Sequence, residues 1–106
     1  MTNQPPIGLS ILIHAYNYIC VNLVEGLQKQ AQQLGIDYEI IVADDGSTDK
    51  QAVKINRNIA DIPACTYIER EENAGRAAIR NFLAEQSKYA WLLFLDCDMQ
   101  LPDGLF

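Results

Sequence analysis

The stretch Tyr38-Glu-Ile-Ile-Val-Ala-Asp-Asp-Gly-Ser-Thr-Asp49 joins an apolar run to an acidic turn. Its first half, Tyr38 to Ala43, is almost continuously apolar. A strand of that kind is buried on both faces, which is the habit of a parallel sheet covered by helices. Its second half is made of turn formers, and Ser47, Thr48 and Asp49 are suited to cap a helix that follows. Strand, turn and helix start in immediate succession predict one strand–helix unit.

Working outward, three further apolar runs follow, Leu9 to Ile13, Cys65 to Ile68 and Trp91 to Leu95, of which the first and the last are likewise nearly continuous. Helical spacing fills the intervals. From Cys20 the apolar positions Leu23, Val24, Leu27, Ala31 and Leu34 recur every three or four residues, and Gly35 follows as a stop. A second helix is expected from Asp49 to about Ile59, anchored by Val53 and Ile55. A third is expected from Gly75 to Gln86, with Ala78, Ile79, Phe82 and Leu83 inward. The resulting alternation predicts an α/β fold, a Rossmann-like, mostly parallel sheet with flanking helices.

The chain has 106 residues, so residues 1–106 are read as a single domain. Leu101-Pro-Asp-Gly-Leu-Phe106 reads as the start of a further element, and a truncated domain is expected. The formal net charge of -6 argues against a nucleic-acid partner, which rewards a basic face. It also means that an anionic ligand needs placed arginines, a divalent cation, or both. Cys20, Cys65 and Cys97 show no zinc-like spacing and are read as buried, reduced thiols. Neither a signal peptide nor a long apolar span is evident, so a cytoplasmic location is expected.

Ligands of open α/β sheets bind at the carboxyl ends of the strands. Those ends carry His14-Ala-Tyr-Asn17, then Asp44 through Asp49, then Arg70 through Arg76, then Asp96-Cys-Asp98. No glycine-rich turn follows the first strand and no lysine-bearing phosphate loop exists. A metal held by carboxylates fills that gap, since magnesium and manganese share a few carboxylates with substrate phosphates. In extended backbone Asp96 and Asp98 point the same way, with Cys97 packed behind.

Each feature also has a purely structural reading. The acidic turn serves as a helix cap, His14 as a strand-end residue with a satisfied hydrogen bond, and Tyr16 and Tyr18 as packing aromatics. Arg76 and Arg80 lie on one helix face, where they pair with Glu72 and solvent. Convergence at one rim favours the functional reading.

These residues resemble the N-terminal half of family 2 glycosyltransferases with the GT-A fold. The resemblance rests on Ser10-Ile-Leu-Ile-His-Ala-Tyr-Asn17, on the acidic stretch quoted above, on Asn73-Ala-Gly-Arg-Ala-Ala-Ile-Arg-Asn81, and on Trp91-Leu-Leu-Phe-Leu-Asp-Cys-Asp98, in the family's order. It implies an inverting transfer from a nucleotide-diphosphate sugar, UDP-linked by preference, to an acceptor hydroxyl of a glycan, lipid-linked or protein substrate. Tyr16 is then expected to line the base pocket with His14 and Asn17. Asp45 is expected to accept a hydrogen bond from the base, with Asp44 supporting the turn. Asn73, Gly75 and Arg76 are expected to border the nucleotide, and Arg80 to face or brace the cleft. Asp96 is assigned to the ribose or donor sugar, and Asp98, with Asp96, to Mn2+ or Mg2+.

Two departures accompany the resemblance. His14 replaces the family's usual threonine or proline. The family's catalytic base lies downstream of Asp-x-Asp, so no catalytic residue is assigned and donor binding without transfer is expected of this chain. The competing readings are a phosphoacceptor receiver domain, a nucleotidyltransferase, and a nucleotide-binding module without activity of its own. Exposure of the Trp91–Leu95 run also predicts self-association, and the full protein's place is expected in the cytoplasm, at the inner face of a membrane where it is anchored.

Overall fold

The computed structural model describes residues 6–98; the turn expected over Leu101–Phe106 lies outside them. Four strands alternate with helices: β1 (Leu9–Ala15), α1 (Val21–Leu34), β2 (Tyr38–Asp45), α2 (Lys50–Asn56), a 3-10 helix η1 (Arg57–Asp61), β3 (Cys65–Arg70), α3 (Arg76–Gln86) and β4 (Trp91–Asp96). All pairings are parallel, in the order β3-β2-β1-β4. The α/β, Rossmann-like expectation is met, and every strand delivers its carboxyl end to the same edge of the sheet.

Period-two alternation divides the central strands between two cores. Ile11, Ile13, Ile40 and Val42 face α1 and η1, where they pack with Leu23, Val24, Leu27 and Ile59. Leu12, Ile41 and Ala43 face α3 and meet Ile79 and Leu83. Being covered on both sides is what makes β1 and β2 read as continuous apolar runs. By the same alternation Asp44 and Asp45, adjacent in sequence, leave the sheet on opposite faces.

Several details differ from the sequence reading. Leu34 and Ala78 are exposed, although their spacing placed them inward. The second helix tightens to 3-10 after Asn56, and Ile59, not Ile55, becomes its fully buried anchor. Pro63 holds Ile62 extended and ends the segment. Among the described residues β4 has a partner strand on one side only, and Trp91 (69% exposed) and Leu92 (41%) are exposed rather than buried on both sides.

The cysteines require a larger correction. Cys20 and Cys97 are buried, as expected, but they are not reduced thiols: they form a disulfide across 77 residues. The fold brings the cap of α1 and the end of β4 to a Cα–Cα distance of 5.5 Å, within the range a disulfide spans. Cys65 is free and half-buried, and burial pushes its thiol up to about 11. Among the described residues no helix is long and apolar enough to cross a membrane.

Candidate nucleotide-sugar site

The rim is built by two clasps. The first closes the β2–α2 turn on the β1–α1 loop. Asp44 accepts hydrogen bonds from the Ser47 backbone N–H (2.8 Å) and from the Ser47 hydroxyl, and Ser47 Oγ accepts from Asn17 N–H (2.8 Å). Asn17 Oδ1 accepts from Thr48 N–H and Asp49 N–H at 2.8 and 2.9 Å. Asn17 adopts a positive φ of 52°, which asparagine tolerates better than most residues. Asp49 caps α2 by accepting from Gln51 and Ala52 N–H. The structure therefore gives Asn17 and Asp44 loop-holding duties, the second as expected.

The second clasp lies on the α3 face. Asp45 is fully buried, and its two carboxylate oxygens accept from Ala74 N–H (2.8 Å) and Gly75 N–H (3.0 Å). It thus holds the loop that carries Asn73 against the sheet. Gly46 makes this approach possible. A Cβ there, built at φ +73°, would sit 2.6 Å from Asn73 N and 2.7 Å from Glu72 C. Gly75, at φ +87°, hands the chain into α3. His14 Nε2 lies 3.5 Å from Asp45 Oδ2 and, among the described residues, has no hydrogen-bond partner. The satisfied-histidine reading therefore fails for Nε2.

Between these clasps opens a cavity of about 190 Å³ lined by His14, Tyr16, Tyr18, Arg76, Asp96, Cys97 and Asp98. Arg76, at the first position of α3, pairs with Asp96 Oδ2 at 3.4 Å, an exposed contact. The expected pairing with Glu72 gives way to this one. Arg80 lies over the Phe94 ring (4.4 Å) and lines a neighbouring cavity with His14, Arg76 and Asp96. β4 ends at Asp96, so Cys97 and Asp98 lie in a turn rather than in the extended backbone expected of them, and Cys97, though packed in the α1 core, also lines the cavity between the two aspartates.

On the opposite face Tyr67 is pushed above the usual phenol range, first by burial and then by the charges of Asp44 and Glu69. Nearby, the Arg57 guanidinium binds Glu69 with two 2.9 Å hydrogen bonds and holds its carboxyl below the usual range. Sequence reasoning missed Asn56. This residue is 1% exposed, accepts from Cys20 N–H and donates to Tyr18 O, each at 2.7 Å, and so fixes the loop that bears Tyr16 and Tyr18. An asparagine in a helix carries no local signal of such a contact.

The donor chemistry suits a hard divalent cation. Asp96 and Asp98 supply two carboxylates to one cavity, and no group of three or more metal-binding side chains occurs among the described residues. A pair of carboxylates is what a cation needs when phosphates and water complete its shell.

The teichoic acid poly(glycerol phosphate) polymerase of Staphylococcus epidermidis is 32% identical over 88% of this chain and 13% of its own length. The chondroitin synthase of Escherichia coli is 33% identical over 87% and 13%. An uncharacterized glycosyltransferase of Haemophilus influenzae is 36% identical over 85% and 29%. The chain thus spans less than a third of these curated relatives. Among solved structures, S. aureus TarS superposes with a TM-score of 0.66 at 25% identity, over 87% of this chain and 17% of that one. The mannosyltransferase PcManGT from Pyrobaculum calidifontis reaches the same TM-score, 0.66, at 23% identity, over 95% and 30%, a likeness of fold. The family described as "Glycosyl transferase family 2" matches residues 10–106. With the parallel sheet, the acidic rim and the ordered motifs, this match makes the chain a member of glycosyltransferase family 2, corresponding to its N-terminal part.

Proposed function

We propose that this chain forms the donor-binding half of an inverting glycosyltransferase, which binds a nucleoside diphosphate sugar together with a divalent cation. The observation that carries the reading is the convergence of His14, Tyr16, Arg76, Asp96 and Asp98 on one cavity at the carboxyl edge of a parallel sheet. PcManGT, similar in fold, is described in complex with GDP-Man and Mn2+. UDP is the preferred nucleotide here, and GDP the alternative.

In this reading Tyr16 and Tyr18 offer ring surface to the base. Asp45, fully buried and not part of the cavity lining, serves the site from behind by keeping the 73–76 loop in place through Ala74 and Gly75 N–H rather than by touching the base. Arg76 and the first turn of α3 meet the diphosphate, where a positive side chain and the helix dipole act together. Arg80 keeps the wall of the cleft in position. Asp98, with Asp96, would hold the cation, which would supply positive charge to the diphosphate as a Lewis acid; Asp96 would also face the ribose while it pairs with Arg76. Transfer itself requires an acceptor hydroxyl and a carboxylate base from outside the described residues, so donor binding is the property assigned to this chain.

The test is a nitrogen-15 amide-shift titration with magnesium and UDP. Shifts are expected in residues 14–18, 73–76 and 96–98, with α1 and the Arg57–Glu69 side silent. Replacing magnesium by manganese is expected to broaden Cys97 and Asp98 first. Shifts confined to the Lys50–Arg57 face, or none with any nucleotide, contradict the reading.

A further inference from the structure

The Cys20–Cys97 disulfide joins two segments that share a single property: both border the candidate donor cavity. Cys97 stands between Asp96 and Asp98 and lines the cavity itself. Cys20 caps α1 at the end of the loop that carries Tyr16 and Tyr18. That loop is anchored on its other side by Asn56, through Tyr18 O and Cys20 N–H. The bond thus runs from a rigid anchor, through the loop, to the Asp96–Asp98 turn. Besides the disulfide, Cys97 N–H donates to His14 O at 3.2 Å. In a reducing compartment a disulfide is ordinarily transient and redox-sensing rather than a permanent staple.

We infer that Cys20 and Cys97 form a reversible redox latch, which fixes the Asp96–Asp98 turn against the Tyr16–Cys20 loop when oxidised and releases it when reduced. Its partner is a small-molecule thiol–disulfide couple of the glutathione class. Cys97, 5% exposed and on the cavity wall, is the sulfur met first, whereas Cys20 is fully buried. Its thiolate attacks one sulfur of the small disulfide and expels a thiolate. The Cys20 thiolate then attacks the Cys97 sulfur of the mixed disulfide and expels the second. Two protein thiols are oxidised and one small disulfide is reduced to two thiols, which take up the two protons. Because the reagent enters through the cavity, a bound ligand there slows the exchange. The consequence for ligand affinity rests on the donor-site reading above; the latch itself does not.

The test equilibrates the protein with glutathione mixtures of graded ratio. Thiols are counted by mass after alkylation in denaturant, and amide hydrogen exchange is measured on the oxidised and reduced forms. The expected result is one alkylated thiol, Cys65, at the oxidised end and three at the reduced end. Exchange at residues 16–20 and 97–98 is expected to quicken at least about fivefold on reduction, with β2 unchanged. The Cys20→Ser/Cys97→Ser double variant should behave like the reduced protein and ignore reductant, while Cys65→Ser should keep the full response. Three thiols at every ratio, or exchange at 97–98 that is the same in both forms, overturns the latch. Manganese–UDP affinity is expected to weaken about tenfold on reduction, about 1.4 kcal/mol. Equal affinity in the two forms overturns control of the site. Absence of binding in both refutes the donor-site reading, while hydrogen exchange still decides the latch.

Discussion

Asp45 is buried beyond reach of water, so its charge must be satisfied from within the protein, and two backbone N–H groups of the 74–75 loop do this. Asparagine at this position offers one accepting oxygen and turns an N–H2 toward a donor. Asp45→Asn is therefore expected to destabilise the fold by about 2–3 kcal/mol in urea unfolding, and unchanged stability would show that the loop holds itself. Gly46→Ala tests the same junction sterically. A methyl there meets the backbone of Glu72 and Asn73 at a left-handed φ, and a loss of about 1–3 kcal/mol is expected. Cys65 offers a measurement against pH. With its thiol pushed up to about 11, alkylation of the native protein is expected to be slow at neutral pH and to rise steeply in alkali; rapid labelling at neutral pH would contradict the burial. At this scale the acidic turn announced itself, because Asp-Asp-Gly-Ser after an apolar run has few uses. The division of labour within it was not visible. Which aspartate faces which core depends on the strand's register, and Asp45's partners lie about thirty residues away.

Among the elements, the loops between strand and helix are held by side chains rather than by their own propensity. Asn17 serves as the clasp of the β2–α2 turn, and Asn17→Ala is expected to cost about 1–2 kcal/mol, comparable to losing a helix cap; a thermal melt unchanged by the substitution would count against it. The Arg57–Glu69 pair links η1 to β3. Its sign with pH follows from Glu69, whose carboxyl is held down first by the Arg57 hydrogen bond. The contribution is present above the ordinary carboxylate range and is lost as the pH falls through the lowered value. Because the pair is exposed, Glu69→Gln should change melting little and only at low salt. Reduction of the disulfide is a larger effect: closing so long a loop is worth up to about 4 kcal/mol in the chain-entropy description. All four strands and three helices were legible in hydrophobic spacing, because each buries a face that its period displays. The exceptions were positions where a partner decides. Ile59 is buried because η1 tightens beneath α1, Leu34 and Ala78 are left uncovered among the described residues, and the pairing of Cys20 with Cys97 arises only once β4 lies beside β1.

For the whole molecule, the sheet order makes β4 the outer strand next to β1, with Trp91 and Leu92 exposed beside Ile7. An open strand edge with apolar side chains favours pairing with another chain. The chain is expected to self-associate with rising concentration in light scattering, and Trp91→Lys with Leu92→Lys should leave it monomeric; a wild-type monomer at high concentration would show that this edge is protected. The same order brings four strand ends to one rim, which concentrates acidic groups where a diphosphate is to bind. In the proposed reading, an acidic protein with a net charge of -6 would meet such a ligand through Arg76 and a cation held by Asp98, both on the cavity wall. Calorimetric titration of the oxidised protein with UDP, with and without manganese, repeated on Asp98→Ala, tests this most directly. The expected result is binding that requires manganese and is lost in the variant; UDP binding of equal strength without manganese, or unaltered in Asp98→Ala, would contradict it.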